Sequence, residues 1–214
     1  MTSFPEFPDH LRRWSAAHGG IEPRGLVLGW LRVVHVLVRP LARRRVPPWV
    51  LTLASLVCGV AVPSAVLLGR WGVVLGAVLA VLCALLDGLD GAVAVLTDTA
   101  TAWGRVLDQL VDRVGDVAFL VALVLAGAPG WLAVGVGTLT LLQESVRASA
   151  ALPEVGVVSV WERPSRVIVT ALGLLGTALT PGLPVATIAV VIAAVLAVVG
   201  FVQVVVTVFR RLRT

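Results

Sequence analysis

Residues 87–112, DGLDGAVAVLTDTATAWGRVLDQLVD, set four aspartates (87, 90, 108 and 112) at the mouths of two apolar runs. VVLGAVLAVLCALL, residues 73–86, precedes the stretch, and VAFLVALVLAGA, residues 117–128, follows it. Asp87 and Asp90 are spaced i, i+3, and Asp108 and Asp112 i, i+4, so each pair shares one face of its helix. Counted inward from Trp71 and Gly127 at ~1.5 Å per residue, the pairs lie about 22–24 Å and about 28 Å from the far ends. An antiparallel hairpin then levels Asp87 with Asp112 and Asp90 with Asp108, just inside one membrane interface.

The rest of the chain supplies the membrane. Hydrophobic residues are 58% of the 214 positions and the mean hydropathy is +1.00, beyond an ordinary soluble domain. Spans are expected at roughly 49–68, 72–95, 103–127, 130–151, 166–180 and 184–208, separated by GRWG, GAPGW and TPGLP turns of the kind found at membrane interfaces. The predicted fold is all-α: a polytopic membrane protein of six transmembrane helices behind an N-terminal amphipathic interfacial helix. Its parts are a cytoplasmic segment (1–24), a juxtamembrane helix (25–46), the membrane domain (47–209) and a basic tail (210–214).

Arginine placement sets the orientation. RPLARRR (39–45) precedes the first span, FRRLR (209–213) closes the chain, and Arg105, Arg147, Arg163 and Arg166 fall in or beside the 2–3 and 4–5 loops. The positive-inside rule puts those loops and both termini in the cytoplasm of a multi-pass cell-membrane protein, with the aspartates facing the cytoplasm. In GLVLGWLRVVHVLVRPLARR (25–44), Arg32, His35, Arg39 and Arg43 recur three or four apart, a polar stripe suited to lying on an anionic surface. Pro40 is expected to bend or end that helix. Cys58 and Cys83 lie within spans, with no CxxC pair or Cys/His cluster, so no zinc or redox site is expected. Nucleic acid is not an expected partner.

Four carboxylates gathered inside a membrane repel one another and are costly to keep charged. Divalent cations relieve both penalties, and hard oxygen donors suit Mg²⁺ or Mn²⁺. Gly88, Gly91, Ala92, Ala94 and Gly104 surround the cluster, leaving room for a ligand near the backbone.

These residues resemble a family. The CDP-alcohol phosphotransferases carry DxxDGxxAR, eight residues, then GxxxDxxxD. Here Asp87, Asp90, Gly91 and Ala94 are followed at the same intervals by Gly104, Asp108 and Asp112, and Val95 stands in place of the arginine. Arg105 and Arg113 are nearby cations that could substitute for it. PPWVLT (47–52) resembles the family's PNxLT, with Trp49 for the asparagine. The segment 145–166 is similar to the phosphatidylinositol phosphate synthase-like branch through Arg147 and Glu162-Arg163-Pro164-Ser165-Arg166, with Ser149 where a second basic residue is usual.

The resemblance implies a transferase of phospholipid biosynthesis. It would move a phosphatidyl group from a CDP-linked lipid such as CDP-diacylglycerol to the hydroxyl of a polar polyol, phosphorylated on the best reading, and release CMP. Asp87, Asp90, Asp108 and Asp112 would hold two divalent ions, Mg²⁺ or Mn²⁺, and Asp112 would also deprotonate the acceptor. Asp87, Gly91, Ala94 and Gly104 would meet the CDP group, Arg147, Arg163 and Arg166 the acceptor, and the family implies a homodimer. Two other classes compete: a catalytically impaired relative acting as a membrane scaffold, and a cation-coupled carrier. Carriers of that kind show internal repeats and midplane sites, and this sequence has neither feature.

Overall fold

The structure, a computed structural model, describes residues 6–17, 22–23, 25–150 and 159–213. Helices run in the order α1 (Phe7–Ala17), α2 (Gly25–Arg43), α3 (Pro48–Val66), α4 (Arg70–Leu96), α5 (Ala102–Leu125), α6 (Gly130–Ser149), α7 (Arg163–Leu179) and α8 (Val185–Leu212). The last six fall within a few residues of the predicted spans. Residue 24, and residues 151–158 of the segment compared with the synthase-like branch, lie outside the described residues.

Local chemistry accounts for the boundaries. Pro48 opens α3 with Pro47 as its N-cap, where a missing N–H costs nothing and φ is already helical. Gly69 (φ +80°) and Gly127 (φ +109°) turn the chain between α3 and α4 and after α5, in a left-handed region where a side chain would be strained. Thr101 caps α5, its hydroxyl accepting from the Gly104 N–H at 2.9 Å. Alanine and valine dominate the buried core of α3–α8, with buried glycines such as Gly59, Gly76 and Gly173 among them, which lets helices approach closely. At one crossing a Cβ on Gly72 would lie 2.0 Å from the Ala65 carbonyl oxygen.

Among the described residues, three helices, α3, α4 and α8, are long and apolar enough to cross a membrane. Leu172, Ile188, Val195, Val202 and other large apolar side chains of the bundle face outward, as lipid contact requires.

The N-terminal region differs from its sequence reading. Leu31, Val34, His35 and Val38 form the buried stripe of α2, whereas Arg32 and Arg39 are exposed. His35 therefore leaves the predicted polar stripe and packs inward. Its Nδ1 lies 3.2 Å from Nδ1 of His10 on α1, and the Phe7 ring meets it edge-on with centroids 5.4 Å apart. Pro40 does not end α2, which continues to Arg43.

This contact has a pH dependence. Burial first, and then His35, hold His10 below the usual imidazole range; burial first, and then Arg39, do the same for His35. A histidine with a lowered folded pKa supports the docked state above its unfolded value near 6.5 and withdraws that support as pH falls. Amide protection across residues 7–17, taken relative to the intrinsic exchange rate at each pH, should fall between about pH 7 and pH 5, and a His10→Leu variant, which keeps only His35 as a titrating partner, should show a smaller fall.

Candidate functional site

α4 and α5 bring Asp87, Asp90 and Asp108 together. One carboxylate oxygen from each lies within 4.8 Å of the other two. The i, i+3 spacing puts both α4 aspartates on the α5 side, and the Thr101 cap sets the start of α5 so that Asp108 arrives opposite them. The carboxylates thus converge as expected, but as three rather than four. Asp112 stands apart because the Arg163 guanidinium lies between it and Asp87, pairing with Asp87 at 3.1 Å and in direct contact with Asp112.

The trio suits a hard divalent cation. Its donors are all carboxylate oxygens, the set Mg²⁺ and Mn²⁺ prefer, and Asp87 Oδ1 is buried with no hydrogen-bond partner among the described residues. Thr52 on α3 donates its hydroxyl to Asp90 Oδ2 at 2.5 Å. That bond holds the Asp90 carboxylate in place from the α3 side. The sequence reading passed over Thr52, although it is the threonine of the PNxLT-like run. Thr52→Val keeps the shape and removes the donor, so Mn²⁺ affinity should fall about 10–100-fold, as read by Mn²⁺ titration of the purified protein.

A cavity of about 910 Å³ opens beside the trio. Asp90, Gly91, Ala94, Gly104 and Asp108 form part of its wall, so three of the four residues predicted to meet a CDP group face it. A Cβ at Gly91 would meet nothing within 4 Å. Protein packing therefore does not demand glycine there. Arg45, Trp49 and Arg105 also line the space. Arg105 thus remains a candidate substitute for the absent arginine. Arg113 instead turns to acids, 3.1 Å from Asp116 and 3.4 Å from Glu144. Val95 is not on the cavity wall, although its neighbour Ala94 is.

The three arginines predicted to bind an acceptor also gather, each already paired with carboxylates. Arg147 makes a two-pronged pair with Glu162, one bond of 2.9 Å and one shorter. Arg166 reaches Asp116 at 2.6 Å and Glu144 at 3.0 Å. Glu144 joins Arg166 to Arg147, lying 3.7 Å from Arg147 as well, while Arg163 pairs with Asp87 and Asp112. The residues before α7 are held by Gln143, which donates to Ser159 and to the Trp161 carbonyl, and by Thr140, which accepts from the Trp161 ring. Neither Glu144 nor Asp116 was among the site residues expected from the sequence. The available signals were Asp116 four residues after Asp112 and Glu144 three before Arg147.

The family model described as CDP-alcohol phosphatidyltransferase matches residues 45–210. Among solved structures, the chain is similar to Mycobacterium tuberculosis phosphatidylinositol phosphate synthase (PgsA1) with CDP-DAG bound. That match has a TM-score of 0.67 at 24% identity, over 83% of this chain and 94% of that one. It is also similar to the same synthase in complex with manganese and citrate, with a TM-score of 0.66 at 26% identity, over 82% and 88% of the respective chains. No curated protein matches the sequence.

Proposed function

The chain belongs to the CDP-alcohol phosphatidyltransferase family, and from that premise we propose that it transfers the phosphatidyl group of a CDP-linked lipid, CDP-diacylglycerol or similar, to a hydroxyl of a polar polyol. The observation that carries this reading is the carboxylate trio on the wall of a large cavity whose nearby helix surface is glycine and alanine. A nucleoside diphosphate needs both features: positive charge for its phosphates and unobstructed backbone for close approach.

In this reading Asp87, Asp90, Asp108 and Asp112 would hold two divalent ions, Mg²⁺ or Mn²⁺, with the first three as the converged set. When bound, such ions neutralise the diphosphate and stabilise charge on the departing CMP. The cavity wall at Gly91, Ala94 and Gly104 takes the nucleotide, and lipid outside the bundle takes the acyl chains. The acceptor oxygen attacks the phosphorus that carries the diacylglycerol. The bond from that phosphorus to the bridging oxygen breaks, CMP leaves with that oxygen, and the hydroxyl proton passes to the Asp112 carboxylate.

For the acceptor we favour a phosphorylated polyol. Arg163 touches Asp112, Arg147 and Arg166 share Glu144, and guanidinium forks suit phosphate. The tuberculosis structures named as a phosphatidylinositol phosphate synthase support the same class. Six membrane-crossing helices, α3–α8, would hold the site near the cytoplasmic face with both termini on that side. α2 would lie along the surface, and the assembly would be a homodimer.

The test is CMP release from purified protein given CDP-diacylglycerol, Mn²⁺ or Mg²⁺ and a panel of free and phosphorylated polyols. Release that depends on both metal and acceptor supports the reading. Cation flux without CMP would favour a carrier, and inertness toward every donor a scaffold.

A further inference from the structure

Beyond the nucleotide cavity, Arg13 of α1 reaches the end of α4. Arg13 Nη1 donates to the Val95 carbonyl at 3.0 Å and to Asp98 Oδ1 at 3.1 Å. Two parts of the sequence that the transfer chemistry leaves aside, Val95 and Asp98, thereby acquire a common partner. The matched family region starts at residue 45, so this partner comes from outside it.

The last four carbonyls of a helix lack intrahelical donors, and the negative end of the helix dipole lies there. Val95 is one residue from the end of α4, and a guanidinium is well suited to that position. The turn Arg13 grips is also cavity wall. Ala94, Thr97, Thr99 and Ala100 line the space, and the Thr97 and Thr99 hydroxyls lie 2.8 Å apart. Asp98 holds a left-handed conformation at φ +55°, which a non-glycine residue adopts at a cost.

A second contact anchors α1 from the other side, since His10 is buried against His35 of α2. α1 therefore spans from α2 to the C-terminal end of α4. We propose that α1 braces the nucleotide cavity and that Arg13 is a positioning residue for the CDP-linked substrate, acting through the last turn of α4. The cation that the signature would place at residue 95 is supplied to that turn by Arg13. The Asp98 pair is largely exposed, with side-chain exposures of 39% and 81%, and solvent screens it. The bond to the Val95 carbonyl is the stronger anchor.

The inference rests on the transferase reading for its substrate, so its test has one readout that needs no catalysis. In the full-length protein without substrate, Arg13→Leu should raise amide exchange at residues 94–100 while leaving α8 unchanged, and Arg13→Lys should restore most of the protection. In turnover, Arg13→Leu should raise KM for CDP-diacylglycerol about fivefold with kcat within about twofold. Unchanged exchange at 94–100 in Arg13→Leu would overturn the brace. Looser exchange with an unaltered KM would overturn the positioning role. If the native protein released no CMP, the transferase reading would fail, and the exchange comparison would still decide the brace.

Discussion

Asp112→Asn should slow CMP release by about 10²–10⁴-fold, the range a positioned proton acceptor contributes. Its effect on metal binding should differ from that of the trio. Asp87, Asp90 and Asp108 converge within 4.8 Å without Asp112, so an ion held by the three should survive the substitution. Mn²⁺ titration is expected to fall from two ions per chain to one, with the tighter ion retained. Asp90→Asn removes a member of the trio and should abolish the tight site together with the activity. Loss of all Mn²⁺ binding in Asp112→Asn would mean that the four carboxylates act as one indivisible cage. Retention of both ions with activity gone would make Asp112 a base alone. The variant also frees Arg163 from one of its two carboxylate partners, so its thermal stability should be measured alongside the rate.

Local patterns made much of this legible. The helices of the bundle could be placed because long apolar runs alternate with Gly/Pro turns, and the aspartates because i, i+3 and i, i+4 spacings fix a face without knowledge of the rest of the chain. What could not be read was lateral. Nothing local indicates that Arg163, 51 positions beyond Asp112 by number, inserts beside it. Nor does spacing say that His35 faces His10 on a separate helix. α1 was missed because an 11-residue helix is marginal alone in water and depends on its docking through Phe7, His10 and Arg13. The number of membrane crossings is a related case. α3, α4 and α8 meet the length and hydropathy needed. α5 carries Arg105, Asp108, Asp112, Arg113 and Asp116, and α7 has only 17 residues. The residues that build the site are the ones that dilute the hydropathy of the helix bearing them.

The ion-pair cluster beneath the site carries the second large effect. Arg166 and Asp116 are 6% and 7% exposed and 2.6 Å apart, with Glu144 3.0 Å from the same guanidinium. Removing one partner of such a buried pair leaves the other without compensation, at a cost of roughly 3–5 kcal/mol. Arg166→Met should fall at the low end, about 3 kcal/mol, because Arg113 remains 3.1 Å from Asp116. Unfolding in detergent would measure it. Adding Asp116→Asn should recover more than half the loss, since Asp116 is then no longer a stranded charge and Arg113 keeps Glu144 at 3.4 Å. The result also sorts the three gathered arginines. A large stability loss with recovery in the double variant makes Arg166 part of the scaffold, leaving Arg147 and Arg163 to meet a phosphorylated acceptor. Unchanged stability with a raised KM for the acceptor would instead put Arg166 on the substrate, and its pairs with Asp116 and Glu144 would then be the resting arrangement that the acceptor replaces.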